Sequence, residues 1–322
     1  MTSDERWMGA AIALGERGRG NTAPNPNVGC VVVRDDIVVG RGWTQPGGRP
    51  HAEAVALDEA GEAARGATAF VTLEPCCHRS ERGPACADRL VEAGVARVVA
   101  AVGDPDERVA GGGFERLKAA GAQVEIGPGA EEASRSMAGF LTRVRLGRPY
   151  VTLKLAMSLD GKIALPSGES RWITGEDARA HVHLERARSD MILVGRGTFE
   201  RDRPRLDVRL PGLEGRSPRR ALLSRGEAVE GWTRLDSPEA VFGLGDVNDL
   251  LVEGGSATAS AFLAGDLVDR LLIYRAPILI GEGKSSVGYI GLTDLADAHR
   301  RWRLADSRML GIDRLEVYER DR

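Results

Sequence analysis

The hydrophobic positions of the first 146 residues follow two periods in turn. Residues 4–18 place Trp7, Ala11 and Leu14 on one stripe, at the spacing of an amphipathic helix. The run 95–102 is apolar and rich in valine, which is typical of a short buried strand. Segments of these two kinds alternate along the region. This alternation predicts a layered α/β domain.

A second series of strands and helices follows a polar helical segment and the turn after it. Residues 149–165 predict a long strand that leads into a turn at Asp160–Gly161. Further strands and helices alternate beyond it, and no internal repeat relates the two halves of the chain. The sequence therefore predicts a fusion of two different α/β domains, with expected bounds of 1–147 and 148–322.

The composition is that of a soluble globular protein. Of the 322 residues, 42% are apolar and 28% are charged, and no apolar run approaches the roughly 18 residues of a membrane span. The net charge of −3 removes the strongest argument for a nucleic-acid or anionic-membrane partner. The first residues are acidic where a signal peptide needs basic ones. We therefore expect a cytoplasmic protein with neither kind of partner.

The cysteines add a candidate chemistry. All four of them, Cys30, Cys76, Cys77 and Cys86, lie in the first 86 residues, and the remaining 236 residues have none. An extracellular disulfide framework would not leave most of a chain without crosslinks. Free buried thiols and a metal site in the first domain both remain open.

Three fragments of the first domain carry candidate metal ligands. His51 and Glu53 form an H-x-E pattern, Pro75–Cys76 follows a predicted strand, and Cys86 comes later. This order is the pattern of zinc-dependent base deaminases, in which one histidine and two thiolates hold Zn²⁺ and a glutamate moves protons. The cysteines lack C-x-x-C spacing, and each residue alone is more often a buried thiol or a solvated side chain. The order of the fragments favours zinc.

The second domain carries a weaker motif. Residues 250–263 predict a strand, an acidic residue, a Gly-Gly-Ser turn and a helix. Such a turn lets a phosphate approach free backbone N–H groups. Without G-x-G-x-x-G or Walker spacing, a glycine pair after a strand is more often only a turn.

Longer motifs resemble one known family, the bifunctional riboflavin-biosynthesis deaminase/reductases. PNPNVGC, PHAE, TLEPC and GVARVVAAVGDP follow in the order of its deaminase half, and KLAMSLDGKIAL, SGESRWIT and LLVEGG follow in the order of its reductase half. The resemblance covers about residues 5–318. It implies a three-layer, cytidine-deaminase-like α/β domain followed by a dihydrofolate-reductase-like α/β domain.

For the first domain the resemblance implies zinc ligands and substrate contacts. The implied ligands of Zn²⁺ are His51, Cys76 and Cys86, and Glu53 is the implied proton shuttle. The substrate pyrimidine would meet Asn25 and Asn27, and its phosphate would meet Arg79 or Arg82. The chain departs from the family pattern at three positions of this pocket, which are Thr44, Cys77 and Asp106.

For the second domain the resemblance implies an NADPH site and a sugar-phosphate site. The implied NADPH contacts are Ala156, Trp172, Thr198, Asp202, Ser224, Gly255, Ser256, Ala257, Thr258, Ala259, Ser260 and Ala261. The implied substrate contacts are Ser170, Arg186, Leu206, Arg209 and Glu253, with Lys154 near the reacting carbon. Arg225 is a candidate for the 2′-phosphate of NADPH. From the residues alone, Trp172 would be a core aromatic side chain.

The resemblance implies two consecutive reactions on phosphoribosylaminopyrimidines. The first domain would remove an amino group hydrolytically, and the second would reduce the ribosyl group to ribityl with NADPH. A homo-oligomer is expected. Two other functions stay open: a zinc deaminase acting on another base or nucleoside, and a binding protein with structural zinc. Cys77 or His78 as a fourth ligand would favour the binding protein.

Overall fold

A five-stranded mixed sheet organises the first half of the chain in the computed structural model, which describes residues 2–78 and 83–321. Its strands are β1 (Gly29–Arg34), β2 (Ile37–Trp43), β3 (Thr68–Leu73), β4 (Arg97–Val102) and β5 (Gln123–Ile126). Their order in the sheet is β2-β1-β3-β4-β5. The β2–β1 and β1–β3 pairs are antiparallel, and the β3–β4 and β4–β5 pairs are parallel.

Helices cover both faces of this sheet. They are α1 (Ser3–Gly15), α2 (Ala52–Ala60), α3 (Cys86–Glu92), α4 (Gly112–Ala119), α5 (Ala130–Ser136) and α6 (Ala138–Leu146). A Cβ on Gly29 would lie 1.8 Å from the carbonyl oxygen of Ala11 in α1, and one on Gly42 would lie 2.1 Å from that of Ala52 in α2. Gly42 pairs with Cys30 across the sheet, so these two residues face the same side. Gly29 is next to Cys30 in β1 and therefore faces the other side, so α1 and α2 pack on opposite faces. The predicted layered domain is confirmed.

An eight-stranded sheet organises the second half. Its strands are β6 (Tyr150–Met157), β8 (Met191–Gly195), β9 (Arg219–Leu223), β10 (Thr233–Leu235), β11 (Asp249–Val252), β12 (Arg270–Arg275), β14 (Trp302–Leu310) and β15 (Asp313–Arg320). The order is β10-β9-β8-β11-β6-β12-β15-β14. A separate two-stranded sheet pairs β7 (Lys162–Ala164) with β13 (Lys284–Ser285). The helices are α7 (Glu176–Ala187), α8 (Arg196–Asp202) and α9 (Ser256–Ala264).

The parallel part of the second sheet sets the place of a site. Strands β9, β8, β11 and β6 are parallel neighbours, so their carboxyl ends lie along one edge. At this edge β8 passes directly into α8, and loops begin at Ser224 after β9 and at Glu253 after β11. Ligands of open α/β sheets bind in the crevice beside such an edge.

The chain divides into two compact units, Met1–Gly147 and Arg148–Arg322. Arg148 opens the second unit with its guanidinium buried against Asp269, at 2.6 Å for Nη1–Oδ2 and 2.9 Å for Nη2–Oδ1. Asp269 also accepts the backbone N–H of Val151 at the start of β6. This ion pair therefore fastens the first residue of the unit to its central strands. None of the helices in residues 2–78 and 83–321 is long and apolar enough to cross a membrane.

Arg148→Met is expected to destabilise the second unit by about 3–5 kcal/mol, because it leaves a buried carboxylate without its guanidinium. Calorimetric unfolding of the full chain would measure the loss. Arg219→Met is the matched control, since Arg219 pairs with Asp246 on the surface and should cost less than about 1 kcal/mol. Equal losses in the two variants would contradict the anchoring role of Arg148.

Candidate active sites

The first site is a cluster of one imidazole and two thiols. His51 directly precedes α2, Cys76 follows the end of β3, and Cys86 begins α3. The Nδ1 of His51 lies 3.3 Å from Sγ of Cys86 and 3.7 Å from Sγ of Cys76, and the three ligand atoms all lie within 4.8 Å of one another. The structure thus brings together three residues that are up to 35 positions apart in the sequence.

The donor set of this cluster fits Zn²⁺. One imidazole nitrogen and two thiolates are three tetrahedral ligands of the kind that catalytic zinc uses, with a fourth position left for water. The two cysteines are buried and form a small apolar cluster with Val109. Hydrogen bonds from the Cys86 thiol and His51 lower the pKa of Cys76 to about 4. The cluster therefore already favours a thiolate.

Glu53 lies in the first turn of α2, two residues after His51, and is 3% exposed. Burial raises the pKa of its carboxyl group above the usual value. The side chain also interacts with Cys86, which brings the carboxyl group to the cluster without making it a member of the ligand set. Glu53 is thus placed to exchange protons beside the metal position.

Cys77 and His78 do not join the cluster. The thiol of Cys77 donates to the carbonyl oxygens of Arg108 and Val109, at 3.6 and 3.8 Å, on the side of the loop that leads into α4. Within the described residues, the metal-ligand group contains only His51, Cys76 and Cys86. A three-ligand site is typical of catalytic zinc, whereas structural zinc has four protein ligands.

The two asparagines of the PNPNVG loop have different surroundings. The amide Nδ2 of Asn25 donates to the carbonyl oxygen of Gly48 at 2.8 Å and lies 3.4 Å from Nε2 of His51. Asn27 is buried, and its Nδ2 donates to Ser136 at 3.2 Å. The structure therefore brings Asn25 to the cluster and turns the Asn27 amide toward α5. Arg79 and Arg82 lie outside the described residues.

Glu74, within the TLEPC motif, organises the loop that covers the cluster. Its buried carboxylate accepts backbone N–H groups from four residues of one segment. These residues are Asp104, Gly111, Gly113 and Phe114. The segment includes Val109, which packs on the ligand cysteines. Sequence reasoning did not single out Glu74, because the charge of a buried acid gives no sign of its partners.

Glu74→Gln is expected to destabilise the first unit by about 1.5–3 kcal/mol, because hydrogen bonds to a charged acceptor become hydrogen bonds to a neutral one. The amides of Gly111 and Gly113 should exchange faster in hydrogen-exchange mass spectrometry. Glu115→Gln is the control, since that exposed acid lies in the first turn of α4. Unchanged exchange over 104–114 would refute the role given to Glu74.

The second site is a cavity of about 900 Å³ at the carboxyl ends of the parallel strands. Its volume is within the range of small-molecule sites. The residues expected from the sequence that line it are Lys154, Ala156, Ser170, Trp172, Arg186, Thr198, Asp202, Leu206, Arg209, Glu253, Gly255, Ala257 and Thr258. The others, Ser224, Ser256, Ala259, Ser260 and Ala261, are not among the lining residues.

Buried charges converge at one end of this cavity. Arg186 on α7 holds Glu253 with two hydrogen bonds, Nε–Oε1 at 2.7 Å and Nη2–Oε2 at 3.0 Å. Lys154 on β6 lies 3.8 Å from the same carboxylate. Burial lowers the pKa of Lys154, whereas for Glu253 the two cations outweigh burial and hold its pKa below the usual value. The site therefore combines a fixed carboxylate with an amine that gives up its proton more readily.

A loop that follows α8 completes this end. The carbonyl oxygen of Asp207 accepts from Arg186 Nη1 at 3.1 Å and lies 3.1 Å from His183 Nδ1. The Nε2 of His183 faces Arg209 Nη2 at 3.2 Å. Leu206, which directly precedes Asp207, lines the cavity and has a φ of 57°. Two residues of α7 thus hold the segment that carries Arg209 into the cavity.

From the residues alone, Trp172 was expected to be a core aromatic side chain, and this expectation is wrong. It is 69% exposed at the cavity wall, and the guanidinium of Arg179 lies 4.7 Å from its ring centroid. An exposed aromatic face beside a cavity is suited to packing against a planar ligand. A sequence cannot distinguish this position from a buried one, because both need a large aromatic side chain.

Several lining residues were missed by sequence reasoning. They include Ile163, Ala164, Arg171, Arg179, His183, Arg196, Arg201, Arg203, Arg205 and Asp207. With 40 arginines in the chain, no single arginine stands out by its type. The helical spacing of His183 and Arg186 would have placed both side chains on one face of α7.

Comparisons with known proteins cover both units. Residues 149–314 match the family described as RibD C-terminal domain, and residues 1–102 match the cytidine and deoxycytidylate deaminase zinc-binding region. The chain is 42% identical to riboflavin biosynthesis protein RibD of Escherichia coli K12, over 96% of this chain and 97% of that protein.

Two solved structures have the same fold over nearly the whole chain. Acinetobacter baumannii RibD, form 1, superposes with a TM-score of 0.90 at 37% identity, covering 99% of both chains. A Thermotoga maritima diaminohydroxyphosphoribosylaminopyrimidine deaminase/5-amino-6-(5-phosphoribosylamino)uracil reductase also gives 0.90, at 32% identity and 99% coverage of both. The predicted fold class, a deaminase-like domain followed by a reductase domain, is confirmed.

Proposed function

The chain belongs to the RibD family of bifunctional riboflavin-biosynthesis enzymes, and on that premise we propose that each of its two units catalyses one reaction. The first unit deaminates 2,5-diamino-6-(5-phosphoribosylamino)pyrimidin-4-one. The second reduces the ribosyl group of 5-amino-6-(5-phosphoribosylamino)uracil to ribityl. The single observation that carries the proposal is the presence of two chemically distinct sites, a three-ligand thiolate cluster and a cationic cavity.

In the first unit, His51, Cys76 and Cys86 would hold Zn²⁺. Zn²⁺ held by these residues would supply the Lewis-acid activation that makes water a nucleophile near neutral pH. Glu53 takes a proton from the water and delivers one to the departing amino group, which leaves as ammonia. Asn25, held by Gly48 beside His51, contacts the pyrimidine. The balance is one water consumed and one ammonia released.

In the second unit, side chains of the cavity bind the sugar phosphate and donate a proton. NADPH supplies the hydride that reduces C1 of the ribose. Arg209 and Ser170 bind the phosphate from the cavity wall, with charge and donor geometry suited to a monoester. Glu253, fixed by Arg186, orients Lys154, whose lowered pKa suits it to donate the proton that accompanies hydride addition.

One assay tests both halves. The purified full chain, loaded with zinc, is given the diaminopyrimidine substrate with or without NADPH, while ammonia and NADPH absorbance are followed. We expect ammonia in both conditions and NADPH oxidation only after deamination. Absence of ammonia would reject the first activity, and ammonia without NADPH oxidation would reject the second. Ammonia from cytidine but not from this substrate would favour a different deaminase.

A second copy of the chain is the expected partner. The edge strand β14 and the turn after it expose Leu304, Met309 and Ile312, at 51%, 60% and 71%. An unpaired edge with apolar side chains is a surface on which another sheet can pair. We place the enzyme in the cytoplasm, where ligand cysteines stay reduced, without a nucleic-acid partner. Light scattering after size-exclusion chromatography tests the assembly.

A further inference from the structure

Among the arginines that line the second cavity, Arg196 directly follows β8 and donates to Ser224 after β9. Arg186 pairs with Glu253, and Arg205 pairs with Asp207 at 2.8 Å. Arg196 instead lies 3.8 Å from Glu200, whose side chain is 64% exposed, so solvent screens most of that attraction. The positive charge of Arg196 is therefore only weakly compensated by an acidic side chain, and it can attract an anionic ligand.

The Arg196 side chain is nevertheless held in place. Its Nε donates to Ser224 Oγ at 2.9 Å, and its Nη2 donates to the carbonyl oxygen of Glu227. Ser224 Oγ also accepts the N–H of Gly226 at 3.0 Å. Within the described part of the chain, neither Nη1 of Arg196 nor the hydroxyl hydrogen of Ser224 meets an acceptor. A fixed guanidinium and an adjacent hydroxyl thus present unused donors.

The order of the strands indicates which part of a dinucleotide would reach these donors. Lys154 lies on β6, Gly255 follows β11, Arg196 follows β8 and Ser224 follows β9. These strands are neighbours in the order β9-β8-β11-β6, so three spacings of about 4.8 Å separate the two ends. A ligand that reacts beside Lys154 and passes its pyrophosphate over the glycine turn would place its far end at the β8–β9 edge.

We propose that Arg196, with the hydroxyl of Ser224, recognises the 2′-phosphate of NADPH and so sets the preference for NADPH over NADH. The inference rests on the proposed reductase function. A phosphate monoester offers acceptors for both donors, and guanidinium groups bind such oxygens strongly. Arg225, the candidate from the sequence, is exposed and, unlike Arg196, does not line the cavity.

Competitive inhibition by adenosine 2′,5′-bisphosphate and by AMP tests the proposal, because the two differ only in the 2′-phosphate. In Arg196→Gln the inhibition constant of the bisphosphate against NADPH should rise about 10- to 100-fold, as expected for a lost hydrogen bond to a charged group, while that of AMP stays within about twofold. Arg196→Lys should recover part of the loss. Arg225→Gln, next to Ser224, and Arg201→Gln, at another arginine of α8, are matched controls.

The possible outcomes separate this inference from the proposed function. An equal rise for both inhibitors would assign Arg196 to the 5′-phosphate and overturn the proposal. A selective rise in either control instead of Arg196→Gln would also overturn it. If the wild-type chain did not oxidise NADPH with the uracil substrate, the reductase function itself would fail. Direct titration of the wild-type and Arg196→Gln chains with the bisphosphate would still report whether Arg196 binds that group.

Discussion

Glu53→Gln is expected to reduce ammonia release by about 10²- to 10⁴-fold while leaving the zinc content of the chain unchanged. The glutamine keeps the size and burial of the side chain but cannot take a proton. It lies beside the cluster and is not one of its three ligands, so the metal should stay bound. Steady-state ammonia release and metal analysis on the same sample measure the two effects.

The controls for this variant lie in the same region. Glu59→Gln changes another acid of α2 that is paired with Arg41 at the surface, and should leave both activities unaffected. Cys86→Ser should lose zinc and deamination together, because it removes a ligand. NADPH oxidation should persist in Glu53→Gln when the deaminated substrate is supplied. Loss of zinc from Glu53→Gln would show that the carboxylate serves the metal rather than the proton.

Much of the first unit could be predicted from the sequence because its signals are local. Valine-rich runs form strands, and each predicted ligand lies beside an element end: His51 and Cys86 at helix starts, and Cys76 just after β3. The position of Asn27 was not predictable in this way. Its amide is fixed by Ser136, which is 109 residues later in the chain, so only tertiary packing determines where it points.

The C-terminal hairpin of the second unit has no comparable signal. Strands β14 and β15 pair over nine and eight residues around a turn in which Gly311 has φ of 61°. Strand β14 is an edge strand that mixes charged and apolar side chains, and none of its residues is buried. Its pattern therefore lacks the continuous apolar run by which central strands such as β8 can be recognised.

The same distinction applies to the second site. Glu253 and the glycines after it follow a buried strand, so their place at the edge of the sheet could be expected. The roles of individual arginines could not, because they depend on which carboxylate each one meets. Arg186 meets Glu253 across 67 positions, and Arg196 meets Ser224 across 28.

Lys154→Met is expected to lower the kcat of the reductase by about 10²- to 10⁴-fold, with little change in deamination. Methionine fills the same volume but has no proton to donate. The fold of the site should persist because Arg186 still holds Glu253 with both hydrogen bonds. NADPH binding, measured by fluorescence titration, should change far less than turnover, since the amine is assigned to the reaction rather than to the cofactor.

Lys162→Met is the matched control, since this second lysine lies on β7 and its amine contacts Ser285 at the surface. It should retain the wild-type kcat. The pH profile of Lys154→Met gives a further criterion. If Lys154 donates the proton, the wild-type rate should fall as pH rises through its lowered pKa, and the residual rate of the variant should not follow that fall. A variant that changed only KM would assign Lys154 to substrate binding, and a pH profile of unchanged shape would assign the proton to another group.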